Sequence, residues 1–191
     1  MTKKIFFNDK FCLTLAVLNG NKTMTRRVLR DNVPLGNWEE TIKHLPYKVG
    51  DIVAIAQPYK DIIECMAEYS DIIINVDGSI NREYKAGWTN KMFVRANLMP
   101  HHIMITDVKA ERLQDISDDE VLREGIYPQR FFNKVEYVFA TKGKMNNTPV
   151  HRLKTFPTPR EAFAALIDKI SGKGTWESNP WVVAYSFELI D

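Results

Sequence analysis

The sequence predicts an α+β chain built on a small antiparallel or mixed β-barrel. Three observations lead there. About seven short β-prone runs and three helix-like segments follow one another irregularly, with strands mostly neighbouring strands. There is no alternating strand–helix pattern and no Gly-rich phosphate loop, which disfavours a doubly wound nucleotide-binding sheet. The 191 residues, 45% hydrophobic and 26% charged, suit one domain, or one domain with a long insertion, able to bury a core. That composition excludes a disordered chain, a collagen-like repeat and a coiled coil.

The elements follow in order. A helix is expected from about Asn8 to Asn19, with Asn8 or Asp9 capping it, Phe11, Leu15 and Leu18 on one face, and Gly20 as its left-handed stop. "NKTMTRRVLR" favours extended structure through its Thr and Val residues. "DNVPLGNWEETIKHLPYKVGD" reads as loop with one short helical turn. "DIVAIA", "DIIECMAEY" and "DIIINV" read as strands, the last closed by the Asp77–Gly78 turn. "KMFVRANL" and "HHIMITDVKAERL" are further strands. "SDDEVLREG" is a short helix with Ser117 and Glu120 at capping-box spacing and Gly125 as its stop. "VEYVFATKG" is a strand or a loop edge, and residues 142–157 read as an exposed connection. "TPREAFAALIDKISG" is the clearest helix, with Thr158 as cap, Pro159 at its first position, Glu161 completing the box, and an apolar stripe of Phe163, Leu166, Ile167 and Ile170 before Gly172. "PWVVAYSFELI" is a closing strand.

Charge and cysteine usage narrow the function. The net charge of +2 does not by itself argue for a nucleic-acid partner. Its distribution is uneven. Lys22–Arg30 holds four basic residues and no acid, Gln129–Lys154 holds six basic residues against Glu136, and Asp107–Glu124 between them holds seven acids against three basic residues. Two basic surfaces flanking an acidic segment are suited to guiding a polyanion. Cys12 and Cys65 form no CxxC and no pairing pattern, which points to a reducing, cytoplasmic setting. The apolar runs stay under ten residues, so no membrane span is expected, and the N-terminal residues lack a signal-peptide core. Neither the histidines nor the cysteines fall at metal-ligand spacing, so no metal or cofactor is expected.

Chemistry concentrates in "GNKTMTRR". Lys22 and Thr25 are three residues apart. On a regular strand they face opposite ways, so their meeting requires a turn or bulge near Lys22. A lysine that loses its proton there activates a threonine hydroxyl as nucleophile, and Arg26 and Arg27 beside it push the amine in that direction. The alternative is a basic loop that holds a phosphate or faces water. Glu124 is the second unusual residue. It closes a helix, where a carboxylate meets the negative end of the dipole, so a local rule is broken without visible gain.

Taken together, these segments resemble the ASCH family of the PUA-like superfamily. "LNGNKTMTRRVL" resembles its opening Gly-x-Lys-x-x-Thr-x-Arg segment, and "YKVGDIVAI" the Gly-Asp turn into a barrel strand. "MITDVKAERLQDISDDEVLREGI" resembles the strand, corner and helix ending in Glu-Gly, and "AFAALIDKISGKGTWESNPWVVAYSFELI" the closing helix and strand of the larger, phage-associated members. The resemblance implies a single domain over residues 1–191, a PUA-like pseudo-barrel with flanking helices, with insertions at about 61–85 and 127–156. It implies an amidohydrolase acting on an acylated cytidine, such as 4-N-acetylcytidine, or on a related nucleoside or nucleic-acid substrate. Thr25 is then the nucleophile, Lys22 its activating base, and Glu124 the acid/base for the leaving amine. Thr23, Arg26, Arg27, Gln57 and Trp88 are the substrate- or nucleic-acid-binding candidates; Gln57 stands where larger relatives often show an Arg-Glu pair. The alternative the resemblance leaves open is a non-catalytic RNA- or nucleotide-binding module, or a ribonuclease, in which Lys22, Arg26 and Arg27 contact phosphate and Trp88 or Trp176 stacks a base. RNA or a modified nucleoside is the expected partner.

Overall fold

A computed structural model describes residues 3–63, 72–145 and 148–191. The chain is α+β, as predicted. Its strands are β1 (Lys3–Ile5), β2 (Met24–Val28), β3 (Ile52–Ile55), β4 (His102–Arg112), β5 (Tyr127–Phe131), β6 (Lys134–Met145), β7 (Thr148–Phe156) and β8 (Trp181–Leu189). Its α-helices are α1 (Leu13–Leu18), α2 (Trp38–Lys43), α3 (Tyr59–Ile62), α4 (Asp118–Arg123), α5 (Pro159–Ser171) and α6 (Thr175–Ser178). The chain divides into two compact units: Met1–Phe7 with Ile52–Met104 and Leu189–Asp191, and Asn8–Asp51 with Ile105–Glu188.

In the first unit β1 runs parallel to β3, with Ile5 opposite Ile55, and β3 pairs antiparallel with the start of β4, with Ala54 opposite His102. Its core gathers Ala54, Tyr59, Ile62, Ile73, Tyr84, Leu98 and Met99. Tyr59 and Tyr84 meet edge to face at 5.7 Å. Gly87 lies so close to the Tyr59 ring that a Cβ would sit 2.5 Å from it, so only glycine fits.

Here the β-prone runs are corrected. Asp61 and Ile62 of "DIIECMAEY" belong to α3, which starts after Pro58 and buries Tyr59 and Ile62 three residues apart, a helical spacing. Ile63 caps α3 at its C-terminus, and the rest of that run, from Glu64 on and with Cys65, lies outside the described residues. In "DIIINV", Ile72 and Ile73 are helical, and a lone bridge joins Ile74 to Ile80 across the Asp77–Gly78 turn. "KMFVRANL" folds into two 3-10 turns, Lys91–Phe93 and Ala96–Leu98; the Asn90 side chain accepts from the Met92 N–H and starts the first. Isoleucine-rich runs have high β propensity, but burial against Tyr59 and Tyr84 decides their conformation here.

In the second unit the continuation of β4, then β8, then β2 lie side by side, and β2 pairs antiparallel with β8, Thr25 opposite Tyr185. A separate antiparallel sheet has the order β5-β6-β7. β7 occupies the segment expected as an exposed connection; His151 to Thr155 are all exposed, so no alternating buried face marks the strand in the sequence. The first helix is also corrected. A 3-10 turn over Asp9–Phe11 precedes α1, and Cys12 between them takes φ 54°. That left-handed joint restarts the helical register, so Leu13, Thr14 and Val17 are buried and Leu15 is exposed. Ser117 and Glu120 form the predicted capping box of α4. Thr158 caps α5, which buries Ala162, Phe163, Leu166 and Ile167 against α4, β6 and β7, while Ile170 stays exposed. Phe139 on β6 contacts Phe11 edge to face at 6.0 Å and stacks on Phe156 at 5.6 Å.

Candidate functional site

The site lies in the second unit and is assembled from segments about a hundred residues apart. α1 ends at Leu18 with Asn19 as its C-cap, Gly20 with a φ of 73° then turns the chain, and the Lys22 N–H bonds back to the Ala16 carbonyl. β2 starts only at Met24, so Lys22 stands before the regular strand. There it makes an isolated β-bridge with Glu124, the residue that closes α4. The Lys22 Nζ donates to Glu124 Oε2 at 2.6 Å and to the Glu124 carbonyl at 2.8 Å. Both side chains are at least 95% buried. One ammonium therefore neutralises the carboxylate and caps a helix-end carbonyl, which offsets the dipole penalty of an acid at that position.

Arg26 is the hub beside this pair. Its side chain is fully buried. Nε donates to Glu111 Oε1 at 2.8 Å, Nη1 to Glu124 Oε1 at 3.1 Å and to Met24 Sδ at 3.0 Å, and Nη2 to Glu120 Oε2 at 2.7 Å. Nη2 also lies 2.6 Å from Glu111 Oε1. Lys109 pairs with Glu111 and Glu120. Three cations, Lys22, Arg26 and Lys109, thus balance three carboxylates, Glu111, Glu120 and Glu124. Partial burial disfavours the Glu120 carboxylate, but the Lys109 hydrogen bond, the Ser117 N–H and the Arg26 charge together hold its carboxyl below the ordinary glutamate value. Burial likewise disfavours the Lys109 ammonium, and Glu120 and Glu111 outweigh it and raise the amine.

Burial is the largest influence on Lys22 and lowers its amine below the ordinary lysine value; the Glu124 charge opposes this, and Arg27 and Arg26 reinforce it. Thr25, also buried, stands opposite Tyr185 on β8. Alternation puts Thr25 and Arg27 on one face of β2 and Met24 and Arg26 on the other. The Thr25 hydroxyl makes no hydrogen bond among the described residues. Tyr185 packs edge to face on Tyr47 at 5.3 Å, and burial pushes its phenol up to about 12 against the pull of Arg27 and the Tyr47 backbone N–H. No hydrogen bond of good geometry reaches the buried Tyr185 hydroxyl from the described residues.

Of the residues named from sequence, Lys22, Glu124 and Arg26 meet directly. Thr23 is tied to the same helix end, its N–H bonding the Arg123 carbonyl at 2.9 Å and its hydroxyl accepting from Arg123 Nε at 3.1 Å. Gln57 and Trp88 belong to the first unit. Gln57 is buried, with its amide oxygen unpartnered among the described residues, and Trp88 packs on the apolar cluster there. Trp176 is covered by Phe163 and Arg160. Glu111, Glu120, Lys109, Tyr47 and Tyr185 were not selected from sequence. The acid-rich run from Asp107 to Glu124 signalled the carboxylates, and the four-cation run at Lys22–Arg30 signalled their partners.

Gly125 fixes the approach of the two segments. It has φ 94°, and a Cβ on it would sit 3.3 Å from Leu13 Cδ2 and 3.6 Å from Lys22 Cβ and Cδ. Gly125→Ala is expected to cost about 1–2 kcal/mol from backbone strain, read as a fall of roughly 2–8 °C in melting temperature. An unchanged melt refutes this.

No protein-family model and no curated protein matches the chain. Among solved structures, the chain is similar to an ASCH domain from Lactobacillus crispatus JV V101, at 12% identity over 98% of this chain and 78% of that one, with a TM-score of 0.38.

Proposed function

We propose that the chain is an amidohydrolase of the ASCH type, on a PUA-like pseudo-barrel, that removes the acyl group from an acylated cytidine or a related nucleoside or nucleic-acid substrate. The observation that carries the reading is the buried Lys22–Glu124 pair at 2.6 Å, which joins two segments 102 residues apart. A buried amine lowered below its ordinary value is suited to receive a proton, and a carboxylate hydrogen-bonded to it is suited to pass that proton on.

In the proposed reaction the Thr25 hydroxyl oxygen attacks the acyl carbon, and its proton goes to the neutral Lys22 amine. The proton moves through the Lys22–Glu124 hydrogen bond to the leaving exocyclic nitrogen as the C–N bond breaks. Water then attacks the acyl-threonine ester, releasing the carboxylic acid and restoring Thr25. Arg26 serves as a positioning residue, because its donors are engaged by Glu111, Glu120, Glu124 and Met24 rather than turned toward a ligand.

One observation favours the binding-module reading: Lys22 is already bonded to Glu124 and makes no hydrogen bond to Thr25. The deciding experiment is mass-spectrometric turnover of 4-N-acetylcytidine by wild type beside Thr25→Ala. Cytidine and acetate are expected from wild type alone. Absence of cytidine from wild type, or equal turnover in both, overturns the hydrolase reading.

A further inference from the structure

The second unit carries a basic feature that the hydrolase reading does not use. β5 pairs with β6 only over Lys134–Val138. From Phe139 to Met145, β6 is paired by β7 alone, from Phe139 opposite Lys154 to Met145 opposite Thr148. The sheet therefore continues as a two-stranded ribbon, about 20 Å long at the strand rise. Residues 139–154 hold Lys142, Lys144, Arg152 and Lys154 and no Asp or Glu. All four are exposed, and none forms an ion pair among the described residues.

The register sorts these charges onto both faces. Lys142 and Lys144 share one face with His151, which stands opposite Lys142. Arg152 and Lys154 occupy the other, opposite Thr141 and Phe139. Gly143 leaves room for the Arg152 side chain, whose nearest atom lies 3.3 Å from an ideal Cβ there, and Arg152 Nη2 donates to the Lys144 carbonyl at 3.0 Å. Charged side chains, lysine above all, protect open strand edges, and such protection needs no cation on each of the two faces. No two of the four stand opposite each other, their cross-strand partners being His151, Pro149, Thr141 and Phe139, and no acid within the ribbon neutralises any of them.

We infer that the β6–β7 ribbon is a binding element for double-stranded DNA, held by phosphate contacts on both of its faces. Cations on one face alone suit a single strand lying across a sheet. Cations on both faces suit a groove with a phosphate backbone on either side. The B-form major groove, about 12 Å wide, admits a two-stranded β-ribbon, whereas the A-form RNA major groove is deep and narrow. Lysine and arginine reaching phosphate give binding without sequence preference. This inference stands independently of the Lys22 site.

The test is fluorescence anisotropy on the full chain over a salt series, with labelled duplex DNA of roughly 20 base pairs, the RNA duplex of equal sequence and one DNA strand alone. Duplex DNA is expected to bind most tightly. Lys142→Gln with Lys144→Gln should flatten the salt slope by about two, Arg152→Gln with Lys154→Gln by about the same, and all four by about four, at close to 0.9 per phosphate contact. A change confined to one face, an unchanged slope in the fourfold variant, or equal affinity for the RNA duplex or the single strand overturns the inference. A second readout needs no variant. Duplex DNA should protect Lys142, Lys144 and Lys154 of the wild type from amine-reactive labelling, and full labelling of these three in the presence of saturating DNA counts against it.

Discussion

Arg26→Met is expected to lower the melting temperature by about 6–20 °C, the equivalent of ~3–5 kcal/mol. The native guanidinium is fully buried and faces Glu111, Glu120 and Glu124 at 2.6–3.1 Å. Methionine keeps most of the volume and removes the charge. Three carboxylates are then left with Lys22 and Lys109 alone, and their mutual repulsion acts in a poorly solvated setting. The pH dependence separates this from a packing defect. Glu120 is held below its ordinary value in the folded chain, so its contribution to stability is present above the unfolded glutamate range and is lost as pH falls through the lowered folded value. Without Arg26 that depression shrinks. The difference between wild type and Arg26→Met should therefore narrow as pH is lowered into the carboxylate range. Adding Glu111→Gln and Glu120→Gln to Arg26→Met should recover part of the loss, because removing both signs of a buried cluster costs far less than removing one. A fall of under about 2 °C at neutral pH, less than 1 kcal/mol for a chain of this size, overturns the hub assignment.

What could be read in advance depended on the range of the interactions. Caps and glycine stops are local, so α4 follows from the Ser117–Glu120 box and α5 from the Thr158 cap and Pro159 without knowledge of the fold; the box expected at Glu161 forms only its Thr158 half. The left-handed Cys12 is not local in this sense. Nothing in its side chain calls for φ 54°, and the joint it makes moved the buried face of α1 away from Leu15. Ile62 and Ile73 misled for the opposite reason: their β propensity is real, but a core built from Tyr59 and Tyr84 takes them in helical turns. At the site, Glu124 is singled out as an acid at the wrong end of a helix, while only the family resemblance, and no local spacing, joins it to Lys22, 102 residues away. Arg26 was identifiable as a cation near a hydroxyl. That it faces inward, to carboxylates 85 to 98 residues distant, is set by which face of β2 is covered.

Lys22→Met should reduce 4-N-acetylcytidine turnover by about 100- to 10,000-fold, the range of one general base. The wild-type rate is expected to rise with pH along a limb whose midpoint lies below 10.5, the ordinary lysine value, because the base must be neutral and burial lowers its amine. Activity is thus present above the folded Lys22 value and is lost as pH falls through it. The same shift has a consequence for folding. Between the lowered folded value and the unfolded one, the folded chain binds fewer protons at Lys22, so stability rises with pH across that interval. Lys22→Met removes both dependences together. Its residual rate should show no such limb, and the pH-dependent gain in stability should be absent. The stability loss at neutral pH should be smaller than for Arg26→Met, since Glu124 keeps its bond to Arg26 Nη1 at 3.1 Å. A purely structural Lys22 predicts a different pattern, in which the rate falls no further than the folded fraction and the limb persists. Turnover within tenfold of wild type, or a limb unchanged in Lys22→Met, assigns the proton transfer to another group.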